Sequence, residues 1–148
     1  MRKKTAAETE FGLDEFLCFA VYTTGHAFNR IYKPLLDQLG LTYPQYLAMV
    51  ALWACDDYTV GALGKKLFLE SNTLTPLLKR LETLGFITRS RDPADERQVR
   101  ERLTDQGRAL SAKARDIPAC ILEASGMSAA ELQRLTGELA ALRARLLA

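Results

Sequence analysis

Between residues 71 and 104 the chain changes its hydrophobic period without any linker. SNTLTPLLKRLETLG carries its apolar residues at helical spacing, and Gly85 stops it. FITRSR (86–91) and VRERLT (99–104) then alternate with a period of two, and the charged string DPADERQ between them reads as a turn. A helix that runs straight into a two-stranded hairpin cannot bury enough surface alone. The flanking sequence has to supply the covering elements.

Upstream, apolar residues at 13, 16, 17, 20, 21, 28, 31 and 35 keep helical spacing over about six turns, ending near Gly40. Thr42 and Gln45 make a capping box, with Pro44 in the first turn, for a helix over 43–54. CDDY (55–58) reads as a turn. Thr59 caps a short helix over 60–67, and Ser71 caps the next, in which Pro76 is a tolerated defect. Downstream, Thr104 caps a helix to about 124, bent near Pro118. Ser128 and Glu131 box the last helix. Its leucines at 132, 135, 139, 142 and 146 form a helix-pairing seam.

The 148 residues suit one domain with a real core, and 48% hydrophobic with 26% charged residues is a globular balance. No apolar run approaches a membrane span. MRKKTAAETE is basic but has no apolar stretch behind it, so the expectation is a cytoplasmic protein with a frayed start and no membrane association. Net charge is +2, unevenly spread: residues 59–102 hold nine Lys/Arg against six Asp/Glu, whereas residues 1–58 hold five against seven. A phosphate-bearing partner would dock on that middle third.

Helix, short helix, capped helix and hairpin, in this order, are the plan of a winged helix-turn-helix in an α+β, mainly α, fold. The capped helix would enter the major groove of double-stranded DNA. Ser71, Asn72, Thr73 and Thr75 would face base edges, Lys79 and Arg80 would reach phosphates, and Arg97 at the hairpin tip the minor groove. Taken singly, such residues are ordinary caps and solvated turn charges; only the order and spacing lift them above that. These elements with DPADERQVRERLT resemble the multiple-antibiotic-resistance-regulator (MarR) family of bacterial transcription factors, whose D-x-R signature appears as Asp95 and Arg97, followed by Leu103 and Thr104. The likeness spans nearly the whole chain. It implies a homodimer on pseudo-palindromic operator DNA, dimerisation helices over about 12–40 and 105–148, and a winged lobe over about 41–104. It also implies a wing-shaping Asp95 that holds an arginine, and a groove-entering Arg97.

Three cysteines, Cys18, Cys55 and Cys120, are too few and too scattered for a zinc site or a secreted disulfide framework. Packing as small hydrophobes is the plain reading of each. Cys18 lies in LDEFLCFAVYTTGHAFNRIY, one helical turn from Tyr22. Tyr32 points the same way but sits about 21 Å further along the helix, so it could reach Cys18 only from a symmetry mate. Tyr43 is another phenol near that junction. A tyrosine hydroxyl can donate to a thiolate, and a stabilised thiolate attacks peroxides. From the residues alone, Cys18 is either filler or a reactive thiol.

LDEFLCFAVYTTGHAFNRIYKPLL and SNTLTPLLKRLE resemble the organic hydroperoxide sensors (OhrR type) of that family. The resemblance implies that Cys18 senses organic hydroperoxides, with Tyr22, Tyr32 and Tyr43 as thiol contacts supplied across the dimer. It also implies that Cys120, just past Pro118, is the resolving cysteine of the two-cysteine subtype, which bridges to Cys18 of the partner subunit and releases DNA. No metal or cofactor is implied. The rivals are a MarR-type regulator of a phenolic ligand with Cys18 merely packed, a thiol peroxidase, and a helical interaction module. Cys55 is expected to pack at a helix end, His26 to lie at a surface or interface, and Met49 and Trp53 to face the core.

Overall fold

The computed structural model describes residues 12–148, so the expected fraying of the first residues lies outside what it describes. One 3₁₀ turn (Leu13–Glu15) precedes helix α1 (Leu17–Asp37). The uninterrupted helix that the periodicity predicts is therefore broken at Phe16, whose backbone is extended at φ −84°, ψ 118°. Glu15 closes the short turn by accepting from the Gly12 N–H (3.0 Å), and the Phe16 N–H donates back to Leu13 (3.2 Å). The helix must restart after this closure, which puts Cys18 in the first turn of α1 instead of its interior.

Thr42 and Gln45 cap each other at the head of α2 (Tyr43–Ala54), the most buried helix. Its Tyr46, Ala48, Met49 and Leu52 enter the core. Trp53 is half-buried, and Cys55, expected to pack, is exposed just beyond the helix end. The expected turn ends at Asp57. Tyr58 instead opens a two-residue strand β1 (Tyr58–Thr59), too short to show a period in the sequence.

Thr59 caps α3 (Val60–Leu67), its hydroxyl accepting from the Ala62 N–H at 3.1 Å. Helix α4 spans Ser71–Thr83, and its N-cap is Glu70, not Ser71. The Glu70 carbonyl already accepts from Thr73 (3.0 Å) and Leu74 (2.9 Å), so the helix starts one residue early and Ser71 becomes its first helical residue. Leu74, Leu78 and Leu81 are fully buried, and Gly85 turns the chain at φ +86°. Strands β2 (Ile87–Arg91) and β3 (Val99–Leu103) form the hairpin, and the antiparallel sheet runs β1–β3–β2.

Thr104 caps α5 (Asp105–Ala114). The expected bend near Pro118 is a clean break. Helix α6 (Ile117–Ser125) starts afresh, because proline has no N–H to give residue 114 and its ring collides with that carbonyl. Gly126, at φ +66°, turns the chain into α7 (Ala129–Leu146), which the Ser128–Glu131 box opens. Helices α2–α4 and the sheet close around Met49, Leu52, Leu63, Leu74 and Leu81, and the same core continues through Leu36, Leu39 and Leu41 to Leu110, Ile117 and Ile121 of the flanking helices. Helix α1 leaves Leu17, Val21, Phe28 and Ile31 exposed, and α7 leaves Leu135 and Leu139 exposed. An apolar stripe of this length marks a face that another surface covers.

The two parts meet at Gly107. A Cβ built there would stand 2.0 Å from the Phe86 carbonyl oxygen, so α5 and the head of β2 touch backbone to backbone. Gly107→Ala must push them apart. It should lower stability by about 1–3 kcal/mol, read as a drop in the midpoint of thermal or urea unfolding.

Candidate functional site

Four cations converge between α3, α4 and the hairpin. Lys65 from α3, Lys79 from α4, Arg89 from β2 and Arg97 from the hairpin loop line one open groove with Ser71, Thr75 and Gln98, and no carboxylate lines it. A groove of this composition attracts a polyanion. Of the α4 residues singled out in the sequence, Ser71, Thr75 and Lys79 belong to it. Asn72, Thr73 and Arg80 are exposed on the same helix but outside its lining.

The hairpin loop is shaped by carboxylates. The Asp92 N–H donates to Gln98, the Ala94 N–H to the Asp92 carboxylate, and the Gln98 N–H to Asp95, all at 2.8–2.9 Å. Asp95 also accepts from the Arg97 backbone and from its guanidinium (3.1 Å each), holding a side chain that is 91% exposed. Thus Asp95 and Arg97 pair with each other at the tip. Further in, Arg100 donates to Asp57 and Asp92 at 2.8 Å each, and Arg102 reaches Asp57 at 3.2 Å. Hydrogen bonds from Arg100 and Arg102 hold the Asp57 carboxyl below the usual range. The Ala94 N–H and Arg100 do the same for Asp92.

Glu101, at the centre of the sheet, is fully buried. It sits opposite Arg89 on β2, whose guanidinium donates to one carboxylate oxygen at 2.8 Å. Its other oxygen has no hydrogen-bond partner among the described residues. Burial pushes this carboxyl up, and Arg89 only partly offsets that.

A second cleft lies at the helical end. Tyr22, His26 and Asn29 of α1, Tyr32 near its end, Tyr43 of α2, and Ile121, Leu132 and Thr136 of α6–α7 line an open space of about 600 Å³. The three phenols predicted as thiol contacts thus share one cleft within one chain. The Tyr32 and Tyr43 rings are 4.7 Å apart, and Tyr46 backs them from the core at 5.9 and 6.5 Å. Burial, with the neighbouring phenols, pushes Tyr32 up to about 12. Burial raises Tyr43 and Tyr46 as well. Phenols are neutral at physiological pH in any case, and these shifts take all three further from ionising. Tyr22 stacks edge-on against His26 at 4.4 Å. Cys18 and Cys120 are both exposed, the first at the head of α1 and the second in α6, and neither lines the cleft.

The sequence reading missed Tyr46 and the charges that build the hairpin: Asp57, Arg89, Asp92, Arg100 and Glu101. Tyr46 had a signal, since Tyr43 and Tyr46 are three apart on one helix. Alternation along β3 marked Glu101 and Leu103 as facing one side, but a carboxylate on the core face gave no hint of its partner.

The family model described as transcriptional regulator SarA/Rot matches residues 30–114. The chain is 47% identical over 127 residues to the organic hydroperoxide resistance transcriptional regulator of Bacillus subtilis, 86% of each protein. It is 46% identical over 140 residues to the HTH-type transcriptional regulator TtmR of Methylorubrum extorquens, covering 95% of this chain and 72% of that one. In three dimensions it is similar to AbfR of Staphylococcus epidermidis, with 38% identity, a TM-score of 0.75, and coverage of 88% and 90%. AbfR has also been solved reduced and bound to DNA (TM-score 0.69) and in a disulfide form (TM-score 0.61).

The lowered aspartates give the hairpin a stated pH dependence. Their contribution is present above the ordinary value of 3.8 and is lost as pH falls below it, because the unfolded chain then takes up protons that the folded one resists. Arg100→Leu removes the shared partner. Urea midpoints from pH 6 to pH 3, about two units above that value to about one below it, should fall less steeply for this variant than for the wild type.

Proposed function

The chain belongs to the MarR-type family of DNA-binding transcriptional regulators, as a homologue of the organic hydroperoxide resistance regulators, and from that premise we propose that it is a peroxide-released repressor. As a reduced homodimer it binds pseudo-palindromic double-stranded operator DNA in the cytoplasm. The paired α4 helices read adjacent major grooves, with Ser71, Asn72, Thr73 and Thr75 toward bases and Lys79 and Arg80 toward phosphates. The Asp95-held Arg97 enters the minor groove. Lys65 adds a cation to the same groove, which Arg89, paired with Glu101, also lines.

One observation carries the redox part of this reading. The cleft gathers Tyr22, Tyr32 and Tyr43 yet has no cysteine in its lining, while Cys18 stands exposed at the head of the helix that forms one wall. A two-fold axis along the exposed stripe of α1 supplies the missing thiol from the partner subunit. Neutral phenols then donate to its thiolate. The thiolate sulfur attacks the terminal oxygen of an organic hydroperoxide. The O–O bond breaks, the alkoxide leaves and takes a proton as an alcohol, and sulfur is oxidised to a sulfenic acid. Cys120 of the other subunit displaces hydroxide from that sulfur, forming the disulfide and, with a proton, water. A disulfide requires Cα atoms about 4.4–6.8 Å apart, so closure moves α1 against α6 and upsets the spacing of the two reading helices.

The phenol cleft also suits a small aromatic ligand, with Cys18 idle. Cys18→Ser separates the two readings in a gel shift on the protein's own promoter. The proposal expects this variant to stay on DNA under an organic hydroperoxide at which the wild type leaves; release of the variant would sink it. Cys120→Ser should bind DNA when reduced but give no intersubunit crosslink on a non-reducing gel. Arg97→Ala should weaken operator binding by about 1–3 kcal/mol and lower the salt slope by about 1 if it makes one phosphate or groove contact.

A further inference from the structure

Behind the phenol cleft, a line of contacts runs to the other end of the molecule. Tyr32 and Tyr43 pack on the buried Tyr46, and Tyr46 meets Trp53 edge-on at 6.3 Å. The Trp53 indole N–H donates to the Gly107 carbonyl in α5 at 2.9 Å. Gly107 in turn donates its N–H to the Thr104 hydroxyl (3.0 Å), which donates to the Gly85 carbonyl (2.6 Å). The Thr104 N–H donates to the Phe86 carbonyl (3.0 Å). Gly85 and Phe86 are where the reading helix ends and β2 begins.

We propose that Trp53 is a positioning residue that transmits repacking of the phenol cleft to the reading helix and the hairpin through its hydrogen bond to Gly107. The inference rests on the redox reading above. Three features single out Trp53. Every link on either side of it is in ring contact or hydrogen-bond contact, so movement of Tyr32 and Tyr43 has a packed route toward α5. Its bond is directional, whereas the ring contacts are not. It also ends on the one residue whose backbone touches Phe86 with no room for a side chain. Asp56, just beyond α2, adds a second tie to the same junction. Its carboxylate accepts from the Leu103 N–H at 2.9 Å and lies 3.8 Å from Arg108. Helix α2 is therefore anchored at this end, and a shift at its tyrosine end is delivered through the indole. When Cys18 leaves the phenols to join Cys120, Tyr32 and Tyr43 lose a partner, and Tyr46, Trp53 and Gly107 carry the readjustment.

Trp53→Phe keeps an aromatic ring against Tyr46, deletes the donor and trims the second ring. Three readouts are compared with the wild type: operator affinity of the reduced dimer, the rate of the Cys18–Cys120 crosslink under an organic hydroperoxide, and the affinity of the crosslinked protein. The expected result is near-normal reduced binding and a normal crosslinking rate, with release upon crosslinking weakened by about tenfold. A tryptophan that only stabilises the fold would lower the unfolding midpoint and leave the split between crosslinking and release unchanged. Trp53 is the single tryptophan of the chain, so the wild type offers a second measurement that needs no variant at this position. Its fluorescence should change on oxidation, and should not change in Cys18→Ser. A Trp53→Phe protein that crosslinks and leaves DNA as the wild type does overturns the inference. So does wild-type fluorescence that stays fixed while the protein crosslinks and is released. A wild type that neither crosslinks nor leaves DNA overturns the redox reading, and this inference with it.

Discussion

The contact of Gly107 with Phe86 holds the molecule together as a device as well as a fold. It brings α5 against the root of the hairpin so closely that no side chain fits between them. Thr104 ties the same junction with three hydrogen bonds, to Gly85, Phe86 and Gly107. The winged lobe and the flanking helices already share one continuous core, and this junction fixes how the hairpin sits on α5. With it, the end of the reading helix, the hairpin and α5 move as one body.

The charges divide into two kinds of work. Those within the hairpin are spent on shape: Arg100 between Asp57 and Asp92, Asp95 on Arg97, and Arg89 on the buried Glu101. The exposed pairs among these stabilise little individually, but Asp95 fixes the direction in which Arg97 projects. The cations that remain without carboxylate neighbours in the groove, Lys65 and Lys79 above all, are available to a phosphate backbone. At the opposite end the chemistry is neutral, since phenols are protonated at physiological pH and burial only moves Tyr32, Tyr43 and Tyr46 further from ionising. Donors that stay protonated suit a site built around an anionic sulfur.

Much of this was legible along the chain. The caps at Thr42, Thr59, Thr104 and Ser128, the stop at Gly85 and the alternating hairpin strands are local rules, and each lies where the sequence puts it. The misses share one cause, competition between neighbouring signals. Glu15 closes a turn on Gly12 and interrupts a periodic helix at Phe16. The carbonyl of Glu70 takes the role assigned to Ser71. Pro118 breaks a helix that apolar spacing alone would only bend. Tyr58 becomes a strand because β3 offers it a partner, which no property of a two-residue segment announces. Cys55 is exposed because the buried stretch of α2 stops at Leu52, two residues before the helix does.

By itself the sequence determined the helices, their caps, the hairpin and the family likeness, because these depend on residues within a few positions of one another. Only the tertiary structure decided that Tyr22, Tyr32 and Tyr43 share a cleft from which Cys18 is absent. It also decided that Tyr46 and Trp53 connect that cleft to Gly107, and that Glu101 lies buried against Arg89. Most of these are meetings between residues on different elements, from about ten to more than fifty positions apart. Their geometry follows from how α1, α2 and α5 pack, and packing angles are not written in the periodicity of any one segment.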